Sequence, residues 1–218
     1  RTSTKFRIIM ETPNLFLISA PSGTGKSSLI NAALAKANQL NFPLELSISY
    51  TTRKPRKGET DSDHYFFVSL EKFTSMRDSG FFLETAKVHG NWYGTSLDFI
   101  QSKLDAGINL ILEIDVQGFR QITNLSFMHE SIFILPPSIA SLEERIKNRG
   151  DNDDSSTALR LKNAKEELSY AYEYKHMIIN DSFEMALEIL YGIISNQKID
   201  GKLSTKELKE FLSNLLSS

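Results

Sequence analysis

The sequence predicts an α/β protein with a central parallel sheet covered by helices on both faces. Three observations carry this. Strand-like and helix-like runs alternate from residue 15 to residue 195. Two runs, residues 109–115 and 131–135, are almost continuously apolar, as strands buried on both faces are. Between the first strand and the first helix lies a short glycine-bearing turn, a connection typical of doubly wound α/β folds.

Each element has its own signal. Residues 15–20, Leu-Phe-Leu-Ile-Ser-Ala, form the first strand. A helix runs on from Gly25 and fades at 38–41, before Pro43. Residues 44–50, Leu-Glu-Leu-Ser-Ile-Ser-Tyr, alternate apolar and polar side chains as one half-buried strand does. The basic, turn-rich stretch 51–60 is a loop, and 65–68 a short strand. Ser69 is placed to cap a helix that stops at Gly80. Residues 81–89 read as a strand before a turn at Gly90-Asn91, and 97–106 as a helix. After the strands 109–115 and 131–135, the latter closed by Pro136-Pro137, helices are expected over 141–149 and 157–174 with a polar break at 150–156. A last short strand, 176–180, precedes a helix over 183–195, and 204–216 has an amphipathic helical pattern.

The turn reads Ala20-Pro21-Ser22-Gly23-Thr24-Gly25-Lys26-Ser27-Ser28. Its strand–loop–helix setting is that of a phosphate-binding P-loop. Gly23 and Gly25 allow backbone N–H groups to curl round a phosphate, and the helix N-terminus adds partial positive charge. Lys26 can reach the β- and γ-phosphates of a nucleotide, and the Ser27 hydroxyl can hold Mg²⁺. The usual pattern opens with glycine, whereas this one opens with Ala20.

Composition narrows the function classes. The 218 residues are 40% hydrophobic and 24% charged, enough for one domain with a sizeable core. With 25 basic against 27 acidic residues there is no basic excess to mark a nucleic-acid binder. The absence of cysteine excludes disulfides and thiolate metal sites and is compatible with a reducing compartment. No apolar run approaches the ~18 residues that span a bilayer. The N-terminal segment is too short in its apolar part for a signal peptide, and Met10 is a candidate start. His64, His89, His129 and His176 are scattered without metal-ligand spacing and read as structural. Residues 200–207 look like half of an EF-hand loop, but Lys198 would stand at a ligand position that needs oxygen.

A second cluster, Ser49-Tyr-Thr-Thr-Arg53-Lys-Pro-Arg56-Lys-Gly-Glu59, concentrates basic residues. Arginine forks bind phosphate bidentately, although a charge run is as often a solvated loop. Tyr65 and the run Gly90-Asn-Trp-Tyr93-Gly-Thr95 follow downstream. Asp115, after an apolar strand, suits either a Walker-B-like carboxylate or a helix N-cap. Arg145 and Arg149 share a helix face, where pairing with Glu143 and Glu144 is the plain alternative. Glu84, by itself, is one polar residue on a strand.

Taken together and in order, these stretches resemble guanylate kinases, which transfer a phosphoryl group from ATP to GMP. The similar stretches are 20–27, 47–59, 64–69, 82–95, 113–118, 132–138, 145–161 and 178–181. The resemblance implies a three-layer α/β/α P-loop core (14–48, 97–138 and 171–195), an inserted GMP-binding subdomain (49–96), a helical lid (139–170) and a C-terminal tail (196–218). It assigns ATP to Ala20, Pro21, Ser22, Gly23, Thr24, Gly25, Lys26, Ser27, Ser28, Arg145 and Arg149. It assigns GMP to Ser49, Arg53, Arg56, Tyr65, Glu84, Tyr93, Thr95, Asp115 and Arg160, with catalytic roles on Lys26, Arg53, Arg149 and Arg160. Arg53, Arg56, Tyr65 and Tyr93 would hold the acceptor phosphate, and Ser49, Glu84 and Thr95 would read guanine, whose N1–H and 2-amino group are donors suited to a carboxylate. Asn180 would lie near the nucleotides. The implied cofactor is Mg²⁺ on Ser27 and the implied location cytoplasmic. Oligomeric state and use of dGMP stay open. Departures are Glu113 in place of the usual Asp, His64 in place of Asp, and Trp92 where Tyr is common. The alternatives are a related binding module without activity, disfavoured by the intact Lys26 and Ser27, and a P-loop kinase for another small acceptor.

Overall fold

A computed structural model describes residues 13–63, 65–88, 90–125, 127–148, 154–199 and 202–217. Arg149, His64, His89, Met10 and most of the polar break at 150–156 lie outside the described residues. Two sheets organise the chain. The first has five parallel strands in the order β2-β7-β1-β8-β9, where β1 is Leu15–Ser19, β2 Leu44–Leu46, β7 Asn109–Glu113, β8 Glu130–Leu135 and β9 His176–Ile179. The second has four strands in the order β4-β3-β6-β5, where β3 is Tyr50–Thr51, β4 Phe66–Phe67, β5 Phe82–Val88 and β6 Asn91–Ser96.

The core follows from strand periodicity. Along β1, Leu15 and Leu17 face one side of the sheet, and Phe16 and Ile18 the other; all four are buried. The first side packs against α3 (Leu97–Asp105), α4 (Val116–Asn124), α5 (Ile139–Lys147), α6 (Asp154–Ser169) and α8 (Thr205–Ser217). The second side packs against α1 (Lys26–Gln39) and α7 (Phe183–Ile194). This is the three-layer arrangement expected of strands buried on both faces. Among the described residues no helix is long and apolar enough to cross a membrane.

Four sequence expectations change. Residues 44–50 do not form one strand. The Ser47 N–H still donates to Ile111 O in the first sheet at 2.7 Å, but Ser49 O already accepts from Phe66 N–H in the second at 2.9 Å. The chain crosses between sheets at 47–49, and that crossing brings Ser49 to the cleft between them. Residues 91–96 form strand β6, antiparallel to β5, with Gly90 at φ 82° in the connection. Residues 116–124 form helix α4, and the expected strand 109–115 ends at Glu113. The predicted helix 157–174 ends in a 3-10 turn over Tyr170–Glu173. Ser69 caps α2 (Leu70–Asp78) as expected, accepting from the Lys72 N–H at 3.1 Å.

Candidate active site

The turn from β1 into α1 forms one cleft, lined by Ala20 through Ser28 and by Glu113, Asp115 and Glu167. Gly25 sits at φ 86°, and a Cβ there would fall 2.7 Å from Asn180 Nδ2. Only glycine meets both demands. Asn180, buried after β9, donates to Thr24 O at 2.6 Å and so braces the loop from below. The Asn180 side chain thus contacts the loop backbone, while its N–H donates to Leu135 O at 2.9 Å.

Lys26 Nζ lies 3.4 Å from Glu113 Oε1, and Ser27 Oγ donates to the same oxygen at 3.1 Å. A hydroxyl and a carboxylate at the base of a phosphate cradle are hard oxygen donors of the kind Mg²⁺ uses alongside phosphate and water. The structure makes Asp115 a helix N-cap at the edge of the cleft. Its Oδ1 accepts from Gly118 N–H at 2.8 Å as the N-cap of α4, and its side chain lines the cleft.

A second cleft of about 300 Å³ opens between the two sheets. Ser49, Arg53, Arg56, Tyr65, Glu84 and Tyr93 line it, together with Lys26, Glu113 and Asp115 from the first. The two clefts therefore meet at Lys26, Glu113 and Asp115. Arg53 is held in a bidentate pair with Glu59, at 2.8 and 2.9 Å, and lies 5.3 Å from the Tyr65 ring centroid. Glu59 also accepts from the Arg56 N–H at 2.7 Å. The Arg53 fork, followed by that N–H, holds the Glu59 carboxyl down at about 2, and the pairing raises the arginine in turn. The Tyr65 and Tyr93 rings meet edge to face at 5.9 Å.

At the deep end of this cleft, Glu84 is only 6% exposed. Thr95 Oγ1 donates to Glu84 Oε1 at 2.7 Å, and Ser49 Oγ lies 3.4 Å from Thr95 Oγ1. Burial pushes the Glu84 carboxyl up to about 7, the Thr95 bond opposing it and the nearby Asp115 charge adding to it. The cleft thus presents cationic and phenolic groups at one end and a buried carboxyl beside hydroxyls at the other. That pattern fits a phosphorylated ligand whose far end carries hydrogen-bond donors.

Of the proposed arginines, Arg145 lies on α5 and Arg160 on α6; neither lines the two clefts. A Cβ on Gly23 would stand 3.7 Å from Arg145 Cβ, so α5 backs onto the P-loop. Glu143 pairs with Lys147 at 2.7 Å. Two residues escaped the sequence reading. Glu59 ends a run that looks merely basic. Glu167, on α6, faces Lys26 and Asp115 and is pushed up to about 7 by burial, Lys26 partly offsetting it. Glu166 and Glu167 are neighbours in the sequence, and nothing in it says which of the two turns toward the cleft.

Comparison with known proteins gives the family. The guanylate kinase family model matches residues 12–197. Guanylate kinase of Methylobacillus flagellatus is 44% identical over 203 residues, covering 93% of this chain and 98% of that one. That of Aliivibrio fischeri is 43% identical, covering 95% and 100%. The crystal structure of guanylate kinase from Anaplasma phagocytophilum superposes with a TM-score of 0.67 at 29% identity, covering 93% of this chain and 95% of that one. A P-loop cleft joined to a second cleft ending in a buried carboxyl, with sequence and fold similarity along nearly the whole length, shows that the chain belongs to the guanylate kinase family.

Proposed function

We propose that the protein transfers the γ-phosphoryl group of ATP to GMP, giving ADP and GDP. The observation that carries this reading is the junction of the two clefts at Lys26, Glu113 and Asp115. A donor on the P-loop and an acceptor phosphate near Arg53 and Arg56 would face each other there. Phosphoryl transfer leaves little covalent work for a protein, so positioning and charge neutralisation dominate. The P-loop backbone and Lys26 would hold the β- and γ-phosphates. Arg53, Arg56, Tyr65 and Tyr93 would fix the acceptor phosphate in line. No general base is required, because a phosphate oxygen of GMP is already nucleophilic. Ser27 and Glu113 would hold Mg²⁺, which when bound supplies neutralisation of phosphate charge.

Glu84 and Thr95, with Ser49, would read guanine. Adenine places an acceptor where guanine N1–H donates, and a buried carboxylate facing a lone pair is strongly disfavoured. Residues 139–170 would act as a lid carrying Arg145, Arg149 and Arg160 toward the donor, and 49–96 as the acceptor subdomain. Closure of the two would keep ATP from water.

The test is ADP release from ATP and Mg²⁺ with GMP, AMP, CMP or UMP as acceptor. Turnover confined to GMP (or dGMP) is expected. Lys26→Ala is expected to lose at least ~100-fold in turnover, since it removes a group aimed at developing charge. Its far-ultraviolet circular dichroism should be unchanged. An active, folded Lys26→Ala protein would overturn the assignment.

A further inference from the structure

Strand β5 is the outer strand of the second sheet, so one side of its backbone faces away from β6. Edge positions of this kind leave N–H and C=O groups without a ladder partner. At Thr85 both are taken by one side chain. Gln121 Nε2 donates to Thr85 O at 2.7 Å, and the Thr85 N–H donates to Gln121 Oε1 at 3.0 Å. The carboxamide thus acts as one more peptide unit on the sheet edge, and it comes from α4, a helix of the core.

The neighbourhood makes this grip consequential. The β5–β6 register is irregular between Phe82 and Glu84: Phe82 pairs with Ser96 and Glu84 with Thr95. Leu83 is the extra residue, and such a bulge re-aims the side chain beside it. Gln121 pins the strand one residue beyond Glu84. One turn earlier on the same face of α4, Gly118 abuts the carboxyl itself, for a Cβ there would lie 2.6 Å from Glu84 Oε2. Helix α4 therefore holds Glu84 by its neighbour's backbone and by its tip.

We propose that Gln121 is a positioning residue for base selectivity: its pairing with Thr85 sets the depth and aim of Glu84 in the cleft. The proposal rests on the reading of Glu84 as the guanine-recognising carboxylate. A strand loosened from α4 lets the bulge relax, and the carboxylate then meets neither guanine donor squarely.

The experiment compares Gln121→Met, which keeps side-chain length but loses both bonds to Thr85 and the 3.4 Å bond from Nε2 to Gln117 O, with wild type and Glu84→Gln, using GMP and AMP at saturating ATP and varying ATP for its own KM. Gln121→Met is expected to raise KM for GMP about tenfold and lower the GMP:AMP ratio of kcat/KM about tenfold, with KM for ATP within about twofold, as loss of a short-range hydrogen-bond pair would give. If Gln121→Met keeps the wild-type ratio while Glu84→Gln lowers it, the proposal fails and the guanine reading stands. If Glu84→Gln also keeps the ratio, the guanine reading itself fails. A proportional loss with both acceptors at an unchanged ratio marks a merely structural role and overturns the proposal. Should the variant not fold, amide exchange of the wild-type protein decides. Protection of Thr85 comparable to ladder-bonded amides of β5 and β6 is expected, and exchange at the rate of a free edge amide overturns the grip.

Discussion

A carboxyl buried as deeply as that of Glu84 keeps its proton to about pH 7 in the free protein. Guanine offers two donors and therefore calls for the ionised form. If Glu84 reads guanine as proposed, GMP must displace a proton to bind below pH 7. KM for GMP is then expected to climb toward tenfold per pH unit below 7 and to level off above it. Near-stoichiometric proton release, read by calorimetry in buffers of different ionisation enthalpy, should accompany binding at pH 6. A flat KM between pH 6 and 8 would contradict the assignment. The same group links folding to pH. Its native value lies above the ordinary 4.5, so between 4.5 and about 7 the native state holds more protons than the unfolded chain. Its contribution is most favourable below 4.5 and declines as pH rises through 7. None of this is legible in the residue alone. Glu84 reads as a polar position on a strand, and its burial depends on the bulge at Leu83 and on Gly118 of a distant helix. The P-loop lysine and serine, by contrast, announce their chemistry in eight consecutive residues, because spacing along one turn is all that geometry needs.

The same distinction between local and tertiary causes holds for whole elements. Helix α2 and strands β1, β8 and β9 lie where periodicity and capping place them, since local signals suffice. Strand β6 hides behind Gly94, a residue that ordinarily weakens strands. Glycine is required there because a Cβ would meet the Phe82 ring at 2.9 Å and the Phe73 ring at 3.1 Å. Helix α4 contains Gly118 and few strong helix formers, so its stability comes from Asp115 at its N-cap and from Val116, Phe119 and Ile122 in the core. Residues 44–50 alternate correctly for a strand, yet the sheet to which each half belongs is a tertiary fact. Buttressing also belongs to this scale. Asn180→Ala leaves the Thr24 carbonyl without its described donor in a buried setting. A loss of about 1–3 kcal/mol in stability is expected for such an orphaned group. KM for ATP should rise with KM for GMP little changed, which thermal unfolding and steady-state kinetics check. An unchanged melting temperature and unchanged KM for ATP would remove Asn180 from the support of the loop.

Across the whole molecule, two sheets place two clefts on either side of one junction. The parallel sheet delivers the P-loop from β1 and the acidic pair Glu113 and Asp115 from the end of β7. The second sheet delivers Arg53, Tyr65, Tyr93 and Glu84. In the free protein two of the cleft cations are already partnered, Lys26 with Glu113 and Arg53 with Glu59. Their side chains are thereby held in the clefts before any phosphate arrives, which reduces the ordering cost of binding. In the proposed function, a phosphoryl-transfer centre is tied to a guanine-reading carboxylate. The most direct test of that tie is the ratio of kcat/KM for GMP to that for AMP, measured on wild type and Glu84→Gln together. Wild type is expected to favour GMP by orders of magnitude, and Glu84→Gln to shrink that preference at least ~100-fold. A preference that survives the substitution intact would contradict the account.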